Sequence, residues 1–357
     1  MQNKGVPKQP SLAWAFFVCL IFAVPCADAT AGAWFYGAKT AKPLVEPKAK
    51  PVWGFYAHRQ INLLAIFTLP EPLFGFFRAH AAYVRDNAVN PDKRRGMDPE
   101  EACRHYIDAD AYGGSGLAAL PHRWDAAKSK YSEDTLKKYG IVPWHISLVR
   151  YRLVQAFAKK DFAQALHLAT DLGHYIADAN VPLHTTKNYD GQLTNQKGIH
   201  ALWESRLPEL FGSKYNFFVG PAQYLADAEG QTWNGVEQAY AALDSVLGME
   251  RAATLKLPND EKYAFETRNN QTIKVYSKAF CSQYAALLGN QVERQMQRSV
   301  RLLGSIWLTA WLDAGQPDLP TMLGPELELQ APDVPATGGL LGTLQRQEGH
   351  EFDGTEK

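Results

Sequence analysis

The chain has 357 residues, 46% of them hydrophobic and 21% charged, an ordinary composition for a globular protein with a sizeable core. Lys plus Arg and Asp plus Glu each total 37, so the formal net charge is zero. A neutral chain has no global field to recruit polyanions, which argues against a high-affinity duplex binder but not against an enzyme gripping a few phosphates.

Residues 1–29 read as a secretory signal. Lys4 and Lys8 give a positive start, Ala13 to Val24 an apolar core, and Ala27-Asp28-Ala29 a small-residue cleavage site. The apolar run is short for a membrane span, so no transmembrane anchor is expected. Cleavage is favoured over lipid attachment at Cys26, because Pro25 sits badly before a modified Cys. The expected location is therefore secreted or periplasmic. Cleavage would leave Cys103 and Cys281, either paired in an oxidising compartment or buried as free thiols. Residues 30–52, rich in Ala, Lys and Pro without a period, read as a linker.

A folded domain is expected over residues 53–314. Ile61, Leu64, Ala65 and Phe67/Thr68 have helical spacing, stopped by Pro70. An apolar segment from Leu73 to Val84 leads into a turn-like stretch, after which Asp98 and Glu101 resemble a capping box. Residues 111–131 read as Gly-rich loop, and Ser132-Glu133-Asp134 restarts helix. Helical patterns follow over Ile146–Phe157, Phe162–Ala179, Ile199–Phe211, Pro221–Leu247 and Lys274–Leu312. No alternating run with hairpin turns stands out. The fold class is all-α, one multi-helix domain, with residues 315–357 a Pro/Gly/acidic tail expected to be disordered.

The chemistry concentrates between Asp171 and Glu204. His174, Asp178, His184, His200 and Glu204 are spaced H-x3-D-x5-H-x15-H-x3-E. Positions i and i+4 lie one above the other on a helix, so His174/Asp178 and His200/Glu204 form two rungs. His184 follows Pro182, where a break in the helix can swing it back toward the carboxylates. Imidazole plus carboxylate suits zinc, and a catalytic zinc takes about three protein ligands plus an open position. Five such residues in 31 positions suggest more than one ion. Upstream candidates are His58 at a helix entry, Asp92 in a turn and His105 at the end of a short helix. His80, His122, His145, His167 and His350 fall outside the pattern, although His145 after Pro143-Trp144 is a candidate for a cleft wall.

Taken together, W-G-x3-H at Trp53–His58, P-D at Asp92, H-Y-I-D at His105–Asp108, H-Y-I-A-D at His174–Asp178, P-L-H at Pro182–His184 and H-x2-W-E at His200–Glu204 run in one order. That order resembles the superfamily of zinc-dependent phospholipases C and single-strand-specific S-one/P-one nucleases. The resemblance spans Trp53 to about Phe211 and implies an all-helical fold with a zinc cluster in a cleft. It implies that Asp92, His105, His174 and Asp178 hold one zinc and His184, His200 and Glu204 a second. Asp178 would bridge to a third, completed by His58 and by the amine and carbonyl of Trp53. Trp53 follows Val52, so its nitrogen is an amide unless the chain is cut there; two to three Zn2+ ions are expected.

The resemblance implies hydrolysis of a phosphodiester by metal-activated water, with Asp178 orienting it and no separate Ser, Cys or His nucleophile. The nuclease-like motifs favour a single-strand nuclease of endonuclease/3'-nucleotidase type, with Tyr106 stacking a base and Arg94 beside Asp92 contacting phosphate. The phospholipase C alternative rests on Glu204 as the last ligand and the short His184–His200 interval. A non-catalytic zinc-stabilised binding domain would need closed coordination spheres. Single-stranded nucleic acid or phospholipid is the expected partner, as substrate, with no stable protein partner.

Overall fold

The computed structural model describes residues 55–323 apart from 115, 269 and 270. Trp53, the expected signal and linker segments, and the expected tail beyond residue 323 lie outside the described residues. Helix α1, Phe55–Ile66, buries His58, Ile61, Asn62 and Ala65 on one stripe and stops ahead of Pro70, as its spacing predicts. The apolar segment that follows forms two short helices, α2 (Leu73–Ala79) and α3 (Ala81–Asp86).

The expected turn around Asp92 is a helix instead, α4 (Asn90–Arg94), with Pro91 in its first turn, where the missing N–H costs nothing. The expected capping box does not form. Asp98 Oδ1 accepts from the Glu100 N–H at 2.9 Å, while Glu101 is drawn away by Arg104. Within the expected loop 111–131 lies α5, Trp124–Tyr131. Ser132 then caps α6, Glu133–Lys138, accepting from the Thr135 N–H, as the sequence implies.

Two antiparallel-adjacent helices make the centre: α7 (Val142–Ala158) and α8 (Phe162–Ala179), the latter capped by Asp161. Every residue of α8 from Leu168 to Ala179 is buried, so its last three turns are enclosed on all sides. At Gly173 a Cβ would lie 1.8 Å from Asn62 Oδ1, so α1 crosses α8 closely enough to exclude any side chain there. The Asn62 amide donates to Thr170 O at 2.9 Å and to Val84 O at 3.3 Å, tying α1, α3 and α8 together.

After a 3-10 turn at Pro182–Thr185, residues Ala201–Arg206 wind as a π-helix running into α9, Leu207–Phe211. Pro208 has no N–H to give the Glu204 carbonyl, which removes one i→i−4 bond where the turn widens. Helix α10, Ala228–Lys256, starts later and ends later than its periodicity suggests, because Asp227 caps it and Pro258 follows it. The pattern expected from Lys274 to Leu312 is broken into α11 (Lys278–Leu288) and α12 (Gln291–Asp313) by Gly289 at φ 61°.

One hairpin was not foreseen. Strands β1 (Tyr263–Arg268) and β2 (Gln271–Tyr276) pair antiparallel, Tyr263 opposite Tyr276. Strand β2 alternates, with Thr272 and Lys274 exposed and Ile273 and Val275 turned inward, but β1 breaks the pattern by leaving Phe265 74% exposed. Twelve α-helices and one two-stranded hairpin make up the regular structure of the described residues, apart from the short 3-10 and π turns; the fold is all-α in character. No helix among them is long and apolar enough to cross a membrane. Cys103 and Cys281 are both buried free thiols.

Candidate metal centre

Six segments converge on one buried chamber. Helix α1 supplies His58, α4 supplies Asp92, and the turn after Ala102–Arg104 supplies His105. The enclosed end of α8 supplies His174 and Asp178, the Pro182 turn supplies His184, and the π-helical segment supplies His200 and Glu204. All are at most 3% exposed except Asp92, whose side chain is at 7%. All eight expected ligands are therefore brought together; Trp53 lies outside the described residues.

Four groups have donor atoms mutually within 4.8 Å: His58/Asp92/His174, His105/His174/Asp178, His184/His200/Glu204 and His58/Asp178/Glu204. His105 Nδ1 is 2.8 Å and His174 Nε2 3.3 Å from Asp178 Oδ2, while His174 Nε2 is 3.5 Å from Asp92 Oδ1. In the second cluster His184 Nε2 and His200 Nε2 are 3.0 Å apart, and each approaches Glu204 Oε2, at 3.2 and 2.7 Å. His58 Nε2 joins the two clusters, 3.6 Å from Asp178 Oδ1 and 3.2 Å from Glu204 Oε1. The expected rungs are real. His200 and Glu204 meet at i,i+4 even though the chain between them is wound as a π-helix.

Backbone carbonyls fix two tautomers and supply the test of whether a cation fits. His174 Nδ1 donates to Ala88 O at 2.9 Å, and His184 Nδ1 donates to His105 O at 2.7 Å. In a neutral imidazole the second nitrogen is then a bare lone pair. Both second nitrogens face carboxylate oxygens at 3.2–3.5 Å, an arrangement that calls for positive charge, either a proton on the ring or a cation between the groups. Donors about 2.0–2.1 Å from one tetrahedral ion lie about 3.3 Å from each other. The separations here, 2.7 to 3.6 Å, scatter about that figure. The residues fit a cation.

Electrostatics within the chamber show the same demand for positive charge beside the carboxylates. Burial alone would raise the Asp178 carboxyl, but His174, His184 and His105 around it hold it well below the usual carboxylate range. Burial opposes charge on His174, yet Asp178 and Asp92 outweigh it and raise the imidazole well above its ordinary value. His58 moves the other way, lowered by burial and by neighbouring His174 despite Glu204 and Asp178.

Behind His105 lies a carboxylate that sequence reasoning treated only as a helix cap. Glu101 is fully buried, with Oε1 3.3 Å from His105 Nε2. It accepts from the Tyr175 hydroxyl, from Arg104 at 2.8 Å and from Arg94 at 3.4 Å. Arg94 also donates to Asp171 at 2.7 Å, so its guanidinium is committed to this network beside the centre. In metal sites a carboxylate behind a ligating histidine orients the ring and raises its basicity, and Glu101 stands where it could do so for His105. The i,i+4 spacing of Glu101 and His105 was the signal that could have found it. His145 packs edge-on to Tyr175 at 4.5 Å, and burial with nearby Arg104 lowers its imidazole to about 3. Tyr106 is 3% exposed, its backbone and ring pressed against Gly140, so the ring is packed inside rather than open to a base.

A scan against protein-family models and a search of curated proteins gave no match to this chain.

Proposed function

We propose that this protein is a zinc-dependent phosphodiesterase of the phospholipase C/P-one nuclease type, acting as a single-strand nuclease outside the cytoplasm. The observation that carries the reading is the convergence of five histidines and three carboxylates from six segments, with the Nε2 atoms of His174 and His184 turned inward on carboxylates. A purely structural zinc needs one closed set of four donors; four overlapping groups exceed that.

Asp92, His105, His174 and Asp178 would hold one ion, His184, His200 and Glu204 a second, and His58, Asp178 and Glu204 part of a third. Zinc there supplies a Lewis acid that brings a bound water's pKa toward neutrality and offsets phosphodiester charge. Asp178 belongs to two groups, and its Oδ1 has no hydrogen-bond partner among the described residues. That oxygen faces His58 at 3.6 Å, so it would serve the third ion, and from there the carboxylate would orient the attacking water, the role the resemblance implies for it. Glu101 and the carbonyls of Ala88 and His105 hold the imidazoles in register, and burial keeps bulk water from competing. The phospholipase reading keeps its support from Glu204 and the short His184–His200 interval.

The test is hydrolysis of single-stranded DNA and RNA against phosphatidylcholine by the zinc-loaded chain, with chelator and Asp178→Asn controls. Chelator-sensitive nucleotide release supports the proposal. Diacylglycerol release without nucleotides replaces it with the phospholipase reading, and inertness on both leaves only a structural role for the metal.

A further inference from the structure

A cleft of about 880 Å3 opens beside the metal centre, lined by residues of α5, α6, α7 and the start of α10. One layer of side chains separates it from His105. Arg104 lines the cleft and bonds Glu101 behind it, and His145 lines the cleft and packs on Tyr175, which in turn lies edge-on to His105 at 5.5 Å. None of the eight metal-ligand candidates lines it.

The lining combines flat aromatic surface with guanidinium groups. Trp124 and Trp144 meet edge to face at 5.7 Å, and Tyr151 is 59% exposed. Trp144 is 6% exposed, and its indole N–H finds no acceptor among the described residues. Lys137 is taken up by Glu100 and Glu133, at 2.6 and 3.1 Å. Arg123 and Arg152 have no ion pair among the described residues. Asp125 and Glu229 on the same lining balance those two cations, so a bare polyanion gains little. The favoured ligand presents a planar ring to the aromatics and a single phosphate to arginine. The volume lies within the range of sites for whole small molecules and exceeds what a lipid headgroup fills.

We propose that this cleft binds a nucleotide unit of the single strand, its base against Trp124 and Tyr151 and its phosphate on Arg152 and Arg123. The proposal rests on the nuclease reading for its biological ligand. Base–aromatic stacking tolerates sequence because every base has a π-face, and arginine pairs phosphate through a planar fork.

The experiment is calorimetric titration of the zinc-loaded full chain with adenosine 5'-monophosphate, phosphocholine and inorganic phosphate. The nucleotide is expected to bind wild type and to bind Tyr151→Ala and Arg152→Ala at least about tenfold more weakly. Both side chains are exposed, so the fold survives their loss; Phe218→Ala, 91% exposed elsewhere, keeps wild-type affinity. Equal nucleotide affinity in all variants overturns the proposal, as does phosphate binding as tightly as the nucleotide. Phosphocholine binding in place of the nucleotide makes it a headgroup site. No turnover is needed. A chain inert on DNA that still binds nucleotide through Tyr151 and Arg152 loses the nuclease reading and keeps the cleft.

Discussion

The imidazoles of His58 and His174 lie stacked, ring centroids 4.0 Å apart and planes 17° from parallel. The stack depends on the crossing one turn away, where Asn62 of α1 sits over Gly173 of α8. Gly173→Ala puts a methyl against Asn62 Oδ1 and forces the helices apart. The expected outcome is a loss of about 1–3 kcal/mol from overpacking, together with less metal bound per chain. Thermal unfolding and metal analysis check the two effects separately.

Asp178 is shared by two donor groups and sits among three imidazoles. Asp178→Asn keeps the side chain's size and removes its charge. Hydrolysis is expected to fall by about a hundredfold to ten-thousandfold, the range for a positioned proton acceptor, and bound metal is expected to fall with it. Circular dichroism showing intact helix with unchanged activity would contradict the assigned role.

Glu101 is not among the candidate ligands, yet its Oε1 lies 3.3 Å behind the His105 ring. Glu101→Gln is expected to weaken metal affinity about 10–100-fold, the usual cost of losing such a partner, while Glu101→Asp recovers part of it. Competition with a coloured chelator measures the affinity directly, apart from turnover.

His145 is neutral in the fold, its imidazole lowered to about 3 by burial and Arg104. In the unfolded chain the same group titrates near 6.5. Between those values the unfolded state binds a proton that the folded state does not, so stability falls as pH drops from 6.5 toward 3. His145→Asn is expected to remove up to about 1.4 kcal/mol per pH unit of that slope. Denaturant midpoints across the window, wild type against variant, read it out.

Much of the centre was legible because rung spacing and cap chemistry are local. Asp161 and the apolar repeat mark α8 from Phe162 to Ala179, and the His174/Asp178 and His200/Glu204 rungs follow from helix geometry. What stayed hidden depends on distant contacts. Glu101 looked like a cap because nothing local reveals that Arg94, Arg104 and Tyr175 turn it toward His105. Tyr106 looked available because its burial against Gly140 is set by a segment more than thirty residues away. The hairpin at Tyr263–Tyr276 carried only half a signal, since β2 alternates over four residues while β1 puts Phe265 out in solvent.

The donors span positions 58 to 204, drawn from six segments with long stretches of chain between them. Ions held by these donors would act as cross-links, closing several loops whose ends an unfolded chain would have to bring together unaided. Loop closure grows costlier only slowly with length, but here several closures fall on one point. Chelation is then expected to lower the melting temperature and broaden the transition, with amide protection lost first at the Ala102–Arg104 and Pro182 turns, the shortest pieces those links would hold in place.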